Sequence, residues 1–313
     1  MTQSSLTINI PYSPPLGRME ADIPLAKYSW LRVGGNADFL FRPANALELA
    51  EFLHSKPAAM PVTLLGAASN ILIRDGGIAG TVIKLGAGFN DMIITDDKIK
   101  VGAGTLAIQL ARFAQQHCVG GLEFLSGIPG AMGGIAAMNA GAYGSEFRDI
   151  AHDIEGVLPD GSKARYLCSD LPMGYRNGGL PSGFIVTSMT LIGDLSARSD
   201  MIKHKMDEIA RQRKATQPTK ARTGGSTFKN PAGHKAWRLI DAAGLRGYRR
   251  NDAQISPLHC NFLINLGNAS ARDLEMLGEY AIDQVRQCTG IILEWELIRI
   301  GRHQIAPKGA CHG

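Results

Sequence analysis

The sequence predicts an α+β chain divided into two or three subdomains. Three observations lead there. A chain of 313 residues is long for one core. Short β-branched runs alternate with amphipathic stretches and are cut by glycine-rich turns. Near residue 200 the pattern changes from strands to a helix followed by a basic segment, which marks a domain boundary.

Composition narrows the class. Hydrophobic residues make up 45% and charged residues 19%, the balance of a soluble globular protein. The net charge of +5, from 33 basic and 28 acidic residues, is too mild to imply nucleic acid. It favours small anionic ligands where the excess is local. The five cysteines, Cys118, Cys168, Cys260, Cys288 and Cys311, are scattered and lack a C-x-x-C pair. That predicts a reducing compartment, with neither a disulfide frame nor a metal site. No run of about 18 apolar residues occurs, and the N-terminus lacks the pattern of a signal peptide. A cytoplasmic protein is expected.

Taken in order, residues 1–18, with Pro11, Pro14 and Pro15, read as a loose lead-in. The run 27–37 is strand-like and ends on Gly34-Gly35. Asn45 caps a short helix carrying Leu47, Ala50 and Leu53. A strand at 62–65 breaks at Gly66-Ala67-Ala68-Ser69-Asn70, and Ile71-Leu72-Ile73 then leads to the turn Asp75-Gly76-Gly77. Another strand occupies 82–85. Residues 20–90 therefore form a small α+β unit with a polar loop at a strand end. Such loops hold phosphates, although a plain turn is the simpler reading of the loop alone.

Residues 92–101 predict a hairpin turning at Asp96-Asp97, and Thr105 caps a helix with Leu106, Leu110 and Phe113 on one face. Residues 120–148 follow, rich in glycine and nearly free of charge between Glu123 and Glu146. No helical or strand period explains that spacing. A backbone so bare can cradle a pyrophosphate, lie against an aromatic ring system, or simply pack tightly. Strands recur at 153–158, 163–167 and 184–192, with Tyr175-Arg176 in the loop between the last two.

Ser199-Asp200 caps a helix with Ile202, Met206 and Ile209 on one stripe, running into a basic segment stopped by Pro218. A helix at 234–243 and a strand at 260–266 come next. Ser270-x-x-Asp273 is a capping box for a helix carrying Leu274, Leu277, Ala281 and Val285, closed by Gly290. The last strand, 291–300, carries Glu294 and Glu296.

Motifs for chemistry are sparse. No P-loop is present, and G-x-G-x-x-G fails at Ala107 after Gly102 and Gly104 and at Asp91 after Gly86 and Gly88. The basic segment holds Arg211, Arg213, Lys214, Lys220 and Arg222. It is either a solvated helix end or a seat for a diphosphate, and no aromatics interleave to suit nucleic acid. A glutamate on the apolar last strand is an edge charge or a group held in a pocket, and alternation puts Glu294 and Glu296 on one face without choosing between them. Ser226 either stabilises its loop or takes part in chemistry. As a nucleophile it would need a histidine, and His234 and His259 are in the chain, but no G-x-S-x-G elbow exists.

Together the segments 30–37, 65–72, 121–144, 175–176, 225–231, 254–265 and 293–296 closely resemble, in the same order, the flavin-dependent UDP-N-acetylenolpyruvoylglucosamine reductases of peptidoglycan synthesis. The match runs from about Tyr28 to Gly301 and is to the shorter type, which lacks an extra tyrosine-bearing loop. The resemblance implies a two-subdomain FAD-binding fold like that of the vanillyl-alcohol-oxidase-like flavoproteins, plus a third α+β substrate-binding domain. After a lead-in at 1–19, the first subdomain would span 20–97, rejoined by 299–313. The second would span 98–200, and the substrate domain 201–298.

By the same resemblance, Gly66, Ala67, Ala68, Ser69, Asn70 and Ile71, with Ile128, Pro129, Gly130, Gly133 and Gly134, match the loops that hold FAD non-covalently, and Gly141 and Ala142 lie near the flavin. Arg176, Ser226 and Glu296 match the catalytic positions. Tyr143, Arg176, Lys214, Asn230 and Gln254 match substrate contacts. The implied partners are NADPH and UDP-N-acetylglucosamine enolpyruvate, acting on a monomer. Two departures stand out: Ala67-Ala68 replaces the usual Gly-Gly, and Gly178 replaces the usual serine two places after the arginine. The other readings are a different FAD oxidoreductase of this fold acting on a sugar or lactone, and a colourless basic binding module.

Overall fold

The computed structural model describes residues 18–304 apart from Asp97. The expected lead-in at 1–17, Asp97 of the hairpin turn, and Cys311 lie outside the described residues.

The chain is an α+β protein whose three main sheets follow one another along the sequence. The first unit runs β1 (Arg18–Pro24), β2 (Asn36–Arg42), α1 (Ala46–Ser55), β3 (Val62–Leu64), β4 (Ile71–Ile73) and β5 (Ile78–Ile83). Its sheet has the order β1-β2-β5-β3, with β1 antiparallel to β2 and the remaining pairs parallel. Asn45 caps α1 as expected, its side chain accepting from the N–H of Leu47 and Glu48. Leu49, Phe52 and Leu53 of α1 pack on Phe41 and Ile83, while Leu40, Leu65, Ile73 and Val82 fill a second layer.

The second unit comprises β6 (Met92–Thr95), β7 (Lys98–Gly102), α2 (Ala107–Gln116), α3 (Met132–Ala137), β8 (Gly141–Ala142), β9 (Ser145–Glu146), β10 (Ala151–Val157), β11 (Lys163–Leu167) and β12 (Ile185–Ile192). Its antiparallel sheet has the order β11-β10-β12-β7-β6. Leu110 of α2 and Met132 and Ile135 of α3 cover the apolar row Val101, Ile154, Met189 and Leu191.

The third unit has α4 (Ser199–Thr216), β13 (Arg222–Thr223), α5 (Ala236–Ala242), β14 (Arg249–Arg250), β15 (Ala253–Ile255), β16 (Leu263–Asn265) and α6 (Ala271–Thr289). The antiparallel sheet β13-β16-β15-β14 packs on α6 through Leu274, Leu277, Ala281 and Val285, at the periodicity expected. The Ser270–Asp273 capping box forms, and Gly290 ends α6 in the left-handed conformation. The chain then returns to the first unit, where β17 (Ile298–Ile300) pairs in parallel with β4.

The third unit is fastened to the first through α6. Both carboxylate oxygens of Asp75 accept from its first turn, from Ala271 N–H and Arg272 N–H at 2.9 Å each. Arg74 pairs with Glu275 at 2.8 Å. Asp75 thus satisfies donors that a helix N-terminus cannot satisfy itself.

Several sequence expectations are corrected. The run 27–37 is no strand: a 3-10 turn at Ala26–Tyr28 opens it, and β2 starts only at Asn36. Its double glycine serves close approach, since a Cβ on Gly35 would stand 2.2 Å from the carbonyl oxygen of Asp75. Thr105 does not cap α2. Leu106 holds that position, Gln109 accepts its N–H at 3.2 Å, and the buried Thr105 hydroxyl has no partner among the described residues. Helix α4 begins at Ser199 itself, which turns its hydroxyl to the Gln115 carbonyl, and it absorbs the basic segment up to Thr216. The expected strand 291–300 shrinks to β17 and a single bridge between Trp295 and Phe228. Period-two alternation therefore does not apply to Glu294 and Glu296, which do not share a face.

Candidate active site

At the centre is the carboxylate of Glu296. Arg176 Nη2 stands 2.7 Å from Glu296 Oε1, with the glutamate side chain only 9% exposed. Burial pushes the Glu296 carboxyl above its ordinary value, opposed by the charge and hydrogen bond of Arg176 and by Lys229. Glu294, by contrast, is exposed and pairs with Lys229 at 3.2 Å. The structure thus makes the choice that periodicity left open.

Arg176 sits in a two-residue turn, with Gly174 and Asn177 exchanging backbone hydrogen bonds at 2.8 and 3.1 Å. Its φ is +57°, an uncommon conformation for a side-chain-bearing residue and one found at functional sites. Among the described residues its Nε has no hydrogen-bond partner, which leaves one edge of the guanidinium to meet an incoming anion. Gly178 explains the missing serine: its N–H bonds to the Ala137 carbonyl, and a Cβ there would stand 2.1 Å from the Ala136 carbonyl oxygen.

Ser226 lies one residue from a contact with Glu296. Its neighbour Thr227 accepts the Glu296 N–H at 2.8 Å. Ser226 is half-buried, and its hydroxyl makes no hydrogen bond among the described residues. The loop at 66–70 closes the group from the other side. Asn70 Nδ2 donates to the Glu296 carbonyl at 3.2 Å, and the Asn70 carbonyl accepts from Ile298 N–H at 3.0 Å. Gly225 faces this loop, as a Cβ on it would lie 3.8 Å from the Ser69 carbonyl oxygen.

That loop fits the diphosphate of FAD. Among the described residues, the backbone N–H groups of Gly66, Ala67, Ala68, Ser69 and Asn70 donate to no protein acceptor. A run of unsatisfied N–H groups is an anion cradle. Ala68 keeps the loop's shape despite its Cβ by adopting φ +49°. The second glycine loop meets the first where Ser69 Oγ donates to the Pro129 carbonyl at 3.1 Å. Ile128 and Ile71 flank these loops in partly buried positions. Gly130 takes φ +142° against Ser69, while space at Gly134 is open for at least 4 Å where a Cβ would point. Gly133 is committed to packing, its N–H bonded to the Ala103 carbonyl.

Sequence reasoning missed Lys84. Its ammonium donates to the Gly66 carbonyl at 3.0 Å, and burial, then Arg42, pushes its pKa down. Nothing in its strand-like surroundings distinguished it from a surface lysine.

The residues matched to substrate contacts are spread out. Gly141 and Ala142 form one arm of a hairpin whose turn is Tyr143-Gly144, with φ +55° and +84°. Tyr143 lines a cavity of about 580 Å³ with Gly127, Ala142, Gln212, Ala215, Thr216 and Gln217. Asn230 lines a second cavity, of about 490 Å³, with Tyr175, His234 and Lys235, and its Oδ1 accepts the Ala236 N–H at 3.0 Å. Gln254 lines neither cavity. It donates to the Gly247 carbonyl at 3.1 Å and lies in register with Ile264 and, through it, Thr223. Lys214 is exposed on α4 and lines neither cavity.

Known proteins resemble this chain over most of its length. Residues 37–165 match the model of an FAD binding domain, and residues 217–300 match that of the UDP-N-acetylenolpyruvoylglucosamine reductase C-terminal domain. The UDP-N-acetylenolpyruvoylglucosamine reductase of Gluconobacter oxydans (strain 621H) is 48% identical over 302 residues, covering 96% of this chain and 97% of that protein. That of Acidiphilium cryptum (strain JF-5) is 50% identical over 288 residues, 91% of this chain and 92% of its own. The crystal structure of UDP-N-acetylenolpyruvylglucosamine reductase from Thermus caldophilus superposes with a TM-score of 0.78 at 38% identity, over 90% of this chain and 99% of that one. A partly buried Arg–Glu pair beside a serine-bearing loop and an open N–H cradle, within sequences this similar over nearly their whole length, leaves one assignment: the chain belongs to the UDP-N-acetylenolpyruvoylglucosamine reductase family.

Proposed function

We propose that this chain catalyses the NADPH-dependent reduction of UDP-N-acetylglucosamine enolpyruvate to UDP-N-acetylmuramate in peptidoglycan precursor synthesis. The observation that carries the reading is the partly buried Arg176–Glu296 pair, at 2.7 Å, between the Ser226 loop and the N–H cradle at 66–70. FAD, when bound, carries the hydride from NADPH to C3 of the enol ether. The cradle and Lys84 would hold its diphosphate, and Gly141 and Ala142 would lie near its ring system.

The chain's own residues manage the charge that results. Hydride arrival at C3 leaves an electron pair at C2, delocalised into the adjoining carboxylate. Arg176 is always charged and has a free edge, so it suits binding that carboxylate and stabilising the added charge. Ser226 then gives its hydroxyl proton to C2. Glu296 holds the Arg176 fork in place from a site where few other groups reach it. Tyr143, Asn230 and Gln254 would bind and orient the rest of the substrate.

The same proposal divides the chain into FAD-binding subdomains at 20–97 (with 299–313) and 98–200 and a substrate domain at 201–298, working as a cytoplasmic monomer. Among the described residues no helix is long and apolar enough to cross a membrane. The test is direct. The purified protein should be yellow, release about one FAD per chain on heating, and under anaerobic conditions consume more than one equivalent of NADPH only when the enolpyruvyl substrate is present. A colourless protein that cannot be reconstituted with FAD would overturn the proposal.

A further inference from the structure

We propose that Trp295, seated in a notch at Gly278 of α6, is a positioning residue for the second half of the reaction, an inference that rests on the function proposed above. Glycine in a helix interior is costly, and Gly278 falls inside the 19-residue helix α6. The glycine provides room. A Cβ on it would stand 2.1 Å from Trp295 Cη2 and 2.3 Å from Cζ2, so the outer edge of the indole rests where a side chain would be. The ring is held on two further sides. Its Nε1 donates to Glu279 Oε1 at 3.0 Å. The Arg299 guanidinium, itself paired with Glu279 at 2.6 Å, lies 4.4 Å from the ring centre.

Trp295 acts on the reacting groups through the backbone. It bridges Phe228 in antiparallel register, and the two rings meet at 5.1 Å. On either side of that bridge, Lys229 N–H donates to the Glu294 carbonyl and Glu296 N–H to the Thr227 carbonyl, each at 2.8 Å. Glu296 is the residue after the seated indole, and Ser226 stands two residues before Phe228. Phe228 is itself buried, with its N–H and carbonyl both bonded to the Asn261 side chain. The Ser226 segment is thus tied to the third unit's core and the Glu296 segment to α6. The seated indole sets where one segment lies against the other. A displacement of about 1 Å can cost on the order of a hundredfold in rate, so a ring wedged against a long helix suits that task.

The test uses the FAD-loaded protein in anaerobic stopped-flow, with flavin reduction by NADPH and reoxidation by the enolpyruvyl substrate measured separately. Gly278→Ala puts a methyl group into the notch and displaces the indole. It should slow reoxidation on the order of ten- to a hundredfold and leave reduction close to wild type. Trp295→Phe should be mild, since a phenyl ring can still meet Phe228 but is too short to fill the notch. Gly278→Ala combined with Trp295→Phe should reoxidise faster than Gly278→Ala alone, because the shorter ring makes room for the methyl. Melting temperature reads the same contact without turnover. Gly278→Ala should melt below wild type despite alanine's better helix propensity, and the double variant should recover part of that loss. Equal slowing of both halves by Gly278→Ala, unchanged reoxidation, or a double variant slower than Gly278→Ala would overturn the proposal. If Gly278→Ala does not fold, Trp295→Leu carries the test: it empties the notch and should slow reoxidation alone, and unchanged reoxidation there would overturn the proposal equally. A wild-type protein whose reduced flavin the enolpyruvyl substrate fails to reoxidise would overturn the functional reading itself, and this proposal with it.

Discussion

Arg176 Nη2 and Glu296 Oε1 lie 2.7 Å apart, joining residues that are far separated in sequence across a buried site. The pair has a consequence for pH. Burial outweighs the arginine, so the Glu296 carboxyl titrates above its ordinary value. A carboxyl with a raised folded-state pKa holds its proton more tightly in the folded protein than in the unfolded chain. Its contribution to stability therefore falls as pH rises from the unfolded value to the folded one, and is level above that. Glu296→Gln lacks this loss. The melting temperature of wild type minus that of Glu296→Gln should decline with rising pH in that window. Scanning calorimetry of both proteins checks it, and a rising difference would put the ion pair ahead of burial.

Gly178 yields a prediction against the family habit. A serine usually stands two places after the arginine, yet here a Cβ would come within 2.1 Å of the Ala136 carbonyl oxygen. Gly178→Ser should force the Arg176 turn away from α3. A shift of this kind costs about 1–3 kcal/mol, seen as a melting temperature lower by about 2–12 °C in a chain this size. Turnover should fall with it, because the moved turn carries Arg176. A variant as stable and active as wild type would mean the loop has another resting position.

How far the sequence reached depended on the range of the interaction involved. Local signals were legible: the Asn45 cap, the Ser270–Asp273 box, the apolar stripe of α6 and the Gly290 stop are each decided within a few residues. The Gly-rich loops and the trio Arg176, Ser226 and Glu296 were named through resemblance. Long-range geometry was not legible. Glu296 differs from Glu294 only because Arg176 and Thr227 meet it from distant segments. Lys84 becomes a loop residue only through its bond to Gly66.

Asp75 tests how the third unit is held. Its two oxygens accept from Ala271 and Arg272 at 2.9 Å each, capping α6 from the first unit. Asp75→Ala removes both bonds and the charge that complements the helix N-terminus. The expected loss is about 2–3 kcal/mol, read as an earlier denaturant midpoint with an unchanged slope. Asp75→Asn should be milder, retaining one acceptor. Affinity for FAD should stay near wild type, since the cradle at 66–70 is untouched. A flat response in both variants would show that the remaining contacts, among them the Arg74–Glu275 pair and the pairing of β17 with β4, hold the unit without Asp75.

Ser226 bears on the chemistry most directly. If its hydroxyl protonates C2, it is needed only once the enol ether is being reduced. Oxidation of NADPH involves neither that carbon nor its proton. Ser226→Ala should therefore leave the bleaching of visible absorbance by NADPH close to wild type. The return of absorbance on adding the enolpyruvyl substrate should slow on the order of 10²–10⁴-fold. Serine is a weak acid in water, and the site offers it help: Arg176 stands on the buried glutamate, and Lys229 follows three residues later. Cysteine, more acidic and similar in shape, should restore part of the rate. Anaerobic stopped-flow with the two halves separated makes the measurement. Equal slowing of both halves would point to a damaged fold, and no slowing of the second would remove Ser226 from the proton's path. Thr227 guards against a false positive, since its carbonyl holds Glu296 in place at 2.8 Å. A Ser226 variant that disturbed that bond would also shift the pH dependence of stability assigned to Glu296, whereas a clean loss of the acid would leave it unchanged.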